Sequence, residues 1–126
     1  MLNISLLIFL GSGVGGTCRF WLANLMYHLF GRHFPIGTLF VNVTGSLLMG
    51  FLFVLFSERL TISSSLYQPL FLIGFLGGYT TFSSFSIETV NLIQAGSLIH
   101  AALNIVLSLS LCLLATWLGV LLGRSL

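Results

Sequence analysis

Charge is scarce in this chain. Only 5% of its 126 residues are charged and lysine is missing altogether, where a soluble domain carries about 25% charged residues. Such a chain cannot cover a water-facing surface with polar groups. Four basic and two acidic residues leave a net charge of +2. The arginines are scattered, so nucleic acid is excluded as a partner, because its binding needs clustered cations along the phosphates. Cysteine is nearly absent too. Cys18 and Cys112 stand alone in apolar surroundings, which excludes a disulfide framework or a CxxC metal pattern. Both read as small packing residues. No HExxH or GxSxG string occurs, and no nucleophile, base and orienting group share triad spacing. An enzyme is not expected.

What is present is apolar length. The chain is 57% hydrophobic, with a mean hydropathy of +1.13. The class is an integral membrane protein. A helix needs about 20 residues to cross ~30 Å of hydrocarbon. Four segments meet that length: residues 2–30, 35–56, 66–94 and 98–123. The expected fold is an all-α membrane protein, a single four-helix transmembrane domain over residues 1–126. The connections GRHF, SERLTISSS and AGS are too short for a soluble domain. The opening run MLNISLLIFLGSG lacks a basic n-region and an A-x-A site, so a retained helix is expected rather than a signal peptide. Asn42-Val43-Thr44 matches a glycosylation triplet but falls inside a span. His28, His33 and His100 lie near helix ends, where interfacial roles fit.

Small residues recur at helix-packing spacing, as Gly11-x-x-x-Gly15, Ser12-x-x-x-Gly16 and Gly119-x-x-x-Gly123. They let backbones approach closely. Charge bears on orientation. Arg59 and Arg124 fall on one side of the membrane; Arg32 falls on the other, with Arg19 if it reaches that surface. The positive-inside rule then gives almost no bias. Such a chain can insert both ways up, and two opposed copies can pair about a two-fold axis in the membrane plane.

Polar residues fall on defined faces. Thr38, Asn42 and Ser46 recur every fourth residue in the second segment, as do Asn104, Ser108, Cys112 and Thr116 in the fourth. Residues four apart share a helix face. Each stripe serves either as interhelical hydrogen bonding or, taken with the third segment, as a polar pathway. That segment carries GGYTTFSSFSIE, residues 77–88. Its two glycines weaken a helix, and the threonines after them are stiff. The third helix is expected to break in this stretch. Irregular backbone at membrane depth survives only when buried in protein or lining a wet cavity, and broken helices offer carbonyls to cations and amides to anions. Beyond the break, Phe82 and Phe85 lie together, while Thr81, Ser84 and Glu88 form another line. The rings serve either as core or as edges. A ring edge carries partial positive charge, which suits a small anion without a fixed cation to trap it.

Two ionisable residues lie within spans. Arg19 stands about 26 Å along the first helix, where it either snorkels or faces a wet vestibule. Glu88 is the only acid within a span. It suits either a proton or ion site, or an end-of-pathway group bonding hydroxyls.

Three strings in order, GSGVGGTCRF, PIGTLFVNVTGS and GFLGGYTTFSSFSIE, resemble the CrcB-type fluoride channels, the Fluc family. The likeness runs nearly end to end, and the GGxTTFSxFSxE pattern is highly specific. It implies an antiparallel, dual-topology homodimer in the inner membrane, with fluoride leaving the cell passively and relieving its toxicity. It implies a structural sodium ion, Na+, held at the dimer centre by the backbone carbonyls of Gly77 and Thr80 from both subunits. It assigns the fluoride pathway to Asn42, Phe82 and Phe85. Thr81, Ser84 and Glu88 match its hydroxyl and glutamate positions, and Arg19 its vestibule arginine. Thr38 and Ser108 fit the polar track beside them. Tyr79 fills the variable slot, and Cys112 stands where a hydroxyl is expected. The alternatives are a small multidrug-resistance-type exporter, which relies on a first-helix acid absent here, and a non-conducting assembly subunit.

Overall fold

The computed structural model describes residues 1–126. It is all helical. Four helices are long and apolar enough to cross a membrane: Leu2–Phe30, Ile36–Arg59, Thr61–Gln94 and Leu98–Ser125. We number them first to fourth. Only 23 of the 126 residues are buried, while Phe9, Trp21, Leu113 and Trp117 point outward. An apolar exterior around so small an interior fits a multi-pass membrane protein, in which lipid replaces water around the helices.

The helix ends follow local chemistry. Gly31 takes φ 83° and donates its N–H back to the Tyr27 carbonyl at 2.9 Å, closing the first helix. A positive φ favours glycine, which has no Cβ to clash. The expected connector at residues 57–65 differs in the structure. The second helix runs on through a π-helical turn, Leu55–Arg59, and the third begins at Thr61. Only Leu60 stands between them. The serine-rich sequence suggested a loop, but Ser64 Oγ bonds the Thr61 carbonyl at 2.8 Å and supports a helical start.

The third helix is composite. It passes through a π-helical segment, Gln68–Leu76, and a short α-helical turn, Gly77–Tyr79. It is then interrupted and resumes as Phe82–Gln94. The first helix lies along the part before the interruption, the second lies along the fourth, and the part after the interruption leans on the fourth. The interruption therefore moves the third helix from one neighbour to another.

Small residues set these pairings. A Cβ at Gly11 or Gly15 would meet the backbone of Leu70 or Phe75; one at Gly50 or Gly119 would meet that of Thr116 or Leu47. Gly78 belongs to the same class, because a Cβ there would stand 2.5 Å from the Ser12 carbonyl oxygen. This explains why the helix carries glycine at Gly78 and continues through it, although glycine weakens helices. The interruption falls just beyond this glycine, on the two threonines.

Candidate functional site

The interruption has a specific cause. Thr80 and Thr81 are extended, at φ −87°, ψ 156° and φ −151°, ψ 115°. The Asn42 side chain pairs with both backbone groups of Thr81. Its Nδ2 donates to the Thr81 carbonyl at 3.0 Å, and its Oδ1 accepts from the Thr81 N–H at 2.7 Å. A primary amide offers the donor and acceptor of a peptide group, so Asn42 replaces the helical partners that Thr81 gives up. Thr80 closes the first part, with its N–H and Oγ1 both bonded to the Leu76 carbonyl. Thr81 opens the second part. Its Oγ1 accepts from the Ser84 N–H at 3.2 Å, as an N-cap threonine does. Thr81 Oγ1 also bonds the hydroxyls of Ser83 and Ser84.

The Gly77 and Thr80 carbonyls are among those that lose their α-helical donors in this way. In an unbroken helix the Thr81 N–H would bond Gly77, and the Ser84 N–H would bond Thr80. Here the first turns to Asn42 and the second to Thr81 Oγ1. Oxygen donors suit a hard cation, and unwound backbone commonly supplies them. No group of three His, Cys, Asp or Glu side chains gathers anywhere in the chain. The donors at the interruption are backbone oxygens, the kind of ligand a hard cation takes.

A cleft of about 340 Å³ opens beside the interruption. Asn42 and Ser46 face it from the second helix, Thr80, Thr81, Phe82 and Phe85 from the third, and Ser108, Cys112 and Thr116 from the fourth. None of these is charged. The Phe82 and Phe85 rings lie 5.3 Å apart at 46°, a tilted pair. Asn42 keeps its second amide hydrogen, and Ser46 makes no hydrogen bond within the chain. Thr116 is committed to the Cys112 carbonyl at 2.9 Å. Ser108 donates to Asn104 Oδ1 at 3.4 Å, and Asn104 Nδ2 donates to Thr89 Oγ1 at 2.9 Å. Thr89 in turn bonds the Phe85 carbonyl at 2.7 Å. This buried chain ties the fourth helix to the third directly behind Phe85.

Glu88 and Thr38 meet in a second cleft region. Thr38 Oγ1 donates to Glu88 Oε1 at 2.7 Å, and Tyr27 donates to the same oxygen at 3.3 Å. The adjoining cleft, about 300 Å³, is lined by Tyr27, Arg32, His33, Pro35, Glu88, Asn91 and Leu92. The second-helix stripe therefore runs from Glu88 at Thr38, past the interruption at Asn42, to the first cleft at Ser46. It spans about 12 Å at 1.5 Å per residue.

The structure thus brings Thr38 to Glu88, and Asn42, Phe82, Phe85, Thr81 and Ser108 to one cleft. Ser84 lies against Thr81 rather than on the cleft wall. Arg19 stands apart: it is half-buried, lines neither cleft and makes no side-chain hydrogen bond or ion pair. The arginine beside Glu88 is Arg32. Sequence reasoning missed Tyr27 and Thr89. A tyrosine near a helix end reads as an interface anchor, and Thr89 sits outside both stripes.

Comparison with known proteins is extensive. The family model described as CrcB-like protein, Camphor Resistance (CrcB), matches residues 6–120. The chain is similar to the fluoride-specific ion channel FluC of Coxiella burnetii (strain Dugway 5J108-111). It is 64% identical over 121 residues, covering 96% of this chain and 98% of that protein. The protein of the same name from Magnetococcus marinus is 50% identical over 115 residues, 91% of this chain and 93% of its own length. The one from Methylococcus capsulatus is 52% identical over 126 residues, 99% of this chain but only 55% of that longer protein. All three relatives are named as ion channels and none as an enzyme.

Proposed function

The chain belongs to the CrcB family, and from that premise we propose that it is a fluoride-selective channel, through which fluoride leaves the cytoplasm passively across the inner membrane. One observation carries this reading. An uncharged cleft gathers amide and hydroxyl groups and two tilted phenylalanine rings where the third helix is interrupted. Fluoride is compact and strongly hydrated, and unsatisfied charge in a low dielectric is costly. The free amide hydrogen of Asn42, the hydroxyl of Ser46 and the edges of Phe82 and Phe85 replace water in steps, and Ser108 joins them when its proton turns from Asn104 to the ion. No fixed cation lies on the cleft wall to trap the ion. Chloride is larger and is rejected by a narrow path. Thr38 and Glu88 stand at the end of the stripe, and Thr81 and Ser84 hold the interruption open. Arg19 is proposed as a vestibule group reached by the ion before it enters.

The working unit is proposed to be an antiparallel homodimer. Gly77, Phe82 and Ser83 are exposed in a single chain. Irregular backbone and its hydroxyls do not face lipid, so a second copy of opposite orientation covers them. Gly77 and Thr80 of both subunits would hold the sodium ion, which when bound supplies a fixed positive charge and a bridge across the two-fold axis. Light scattering should report a dimer in sodium buffer and a fall in its stability when sodium is replaced by a large organic cation. Monomers throughout, or a dimer indifferent to sodium, would remove that part of the proposal. In cells stripped of their own fluoride exit route, expression of the chain should restore growth in fluoride. Continued sensitivity with the protein present in the membrane would count against the export function.

A further inference from the structure

We propose that Tyr27 is a positioning residue for Glu88. This rests on the fluoride pathway proposed above and adds a member from the first helix. Glu88 is fixed through one oxygen only. Its Oε1 takes the Thr38 and Tyr27 hydroxyls, while its Oε2 is buried with no hydrogen-bond partner. Each hydroxyl has a single proton. That of Thr38 is directed at Glu88 at 2.7 Å, and the Tyr27 oxygen lies 3.3 Å from both Thr38 Oγ1 and Glu88 Oε1. Two hydroxyls from two other helices are therefore all that orient the acid.

The tyrosine itself is held firmly. A Cβ at Gly37 would stand 2.7 Å from the ring at Cε2 and 2.8 Å at Cζ, so the glycine makes room for it. The Arg32 guanidinium lies over the ring, 4.8 Å from its centroid. Arg32 is in turn tied to Asn24 Oδ1 at 3.2 Å. The ring is seated by packing, and the hydroxyl alone reaches the acid. Tyr27 keeps the carboxyl group at Thr38, at the end of the stripe, and so keeps it from swinging toward the anion path.

Tyr27→Phe isolates that hydroxyl, because it retains the ring, the Gly37 contact and the Arg32 stacking. Two measurements on the full-length protein decide the matter. The carboxyl infrared band of Glu88, assigned by its disappearance in Glu88→Gln, should shift in Tyr27→Phe. Fluoride efflux from liposomes should fall about tenfold, the scale of one hydrogen bond to a charged group. A band at its wild-type position overturns the proposal even if stability or flux declines, since that pattern marks a merely structural role. Wild-type flux in the variant overturns it as well. If the unaltered protein passes no fluoride, the channel reading fails, while the infrared band still decides whether Tyr27 positions Glu88.

Discussion

Asn42→Asp is expected to cut fluoride efflux at least a hundredfold. The substitution keeps the size and branching of the side chain. It removes the amide donor that meets the Thr81 carbonyl at 3.0 Å and puts a carboxylate oxygen in its place. Two penalties then act together. The Thr81 carbonyl loses its partner and faces another acceptor, and the cleft gains a negative charge where an anion must pass. Leaving the buried Thr81 carbonyl without its donor costs about 1–3 kcal/mol, and about 1.4 kcal/mol corresponds to each factor of ten in rate. The two penalties reach a hundredfold without difficulty. Efflux from liposomes measures the effect, with the amount of inserted protein held equal. Flux close to wild type would remove Asn42 both from the pathway and from its part in shaping the interruption.

Phe82→Ile separates two readings of the same side chain. If Phe82 were core, its loss would lower stability and affect flux only through folding. The structure leaves it 73% exposed in the single chain, beside the cleft and tilted against Phe85. Isoleucine preserves apolar bulk and removes the ring with its positive edge. Fluoride efflux should fall by about tenfold, in line with the ~0.5–1.5 kcal/mol assigned to specific aromatic geometry. Any change in the thermal midpoint, from the contact with the second copy, should be too small to account for that loss. A large drop in stability with proportionate loss of flux would favour the packing role instead.

The parts of the fold visible in the sequence were those with a period or a length. Four apolar runs are longer than any soluble helix requires, and the fourth-residue recurrence of Thr38, Asn42 and Ser46 places them on one face whatever the tertiary structure. Long-range pairing leaves no such trace. Nothing periodic in the sequence shows that Asn42 completes the backbone of Thr81, thirty-nine positions away. The same holds for Tyr27, whose hydroxyl meets Glu88 from a different helix. Gly78 shows how local propensity is overruled. Glycine alone argues for a break, but close approach to Ser12 and Gly16 uses the missing Cβ for packing, and the helix survives through Tyr79. The serine-rich stretch before the third helix was misleading for a related reason. The Ser64 hydroxyl bonds the Thr61 carbonyl and supports a helix start inside the expected connection. Cys112 lines the cleft between Ser108 and Thr116, so the departure noted in the stripe falls on the wall itself.

The most direct test compares the two smallest halides in one preparation. Purified protein in liposomes is loaded with fluoride or with chloride, and passive efflux is followed with an ion-selective electrode after the membrane potential is clamped. The account predicts rapid fluoride release and chloride release no faster than from protein-free vesicles. Equal rates for both ions, or fluoride retained in vesicles that contain folded protein, would contradict it.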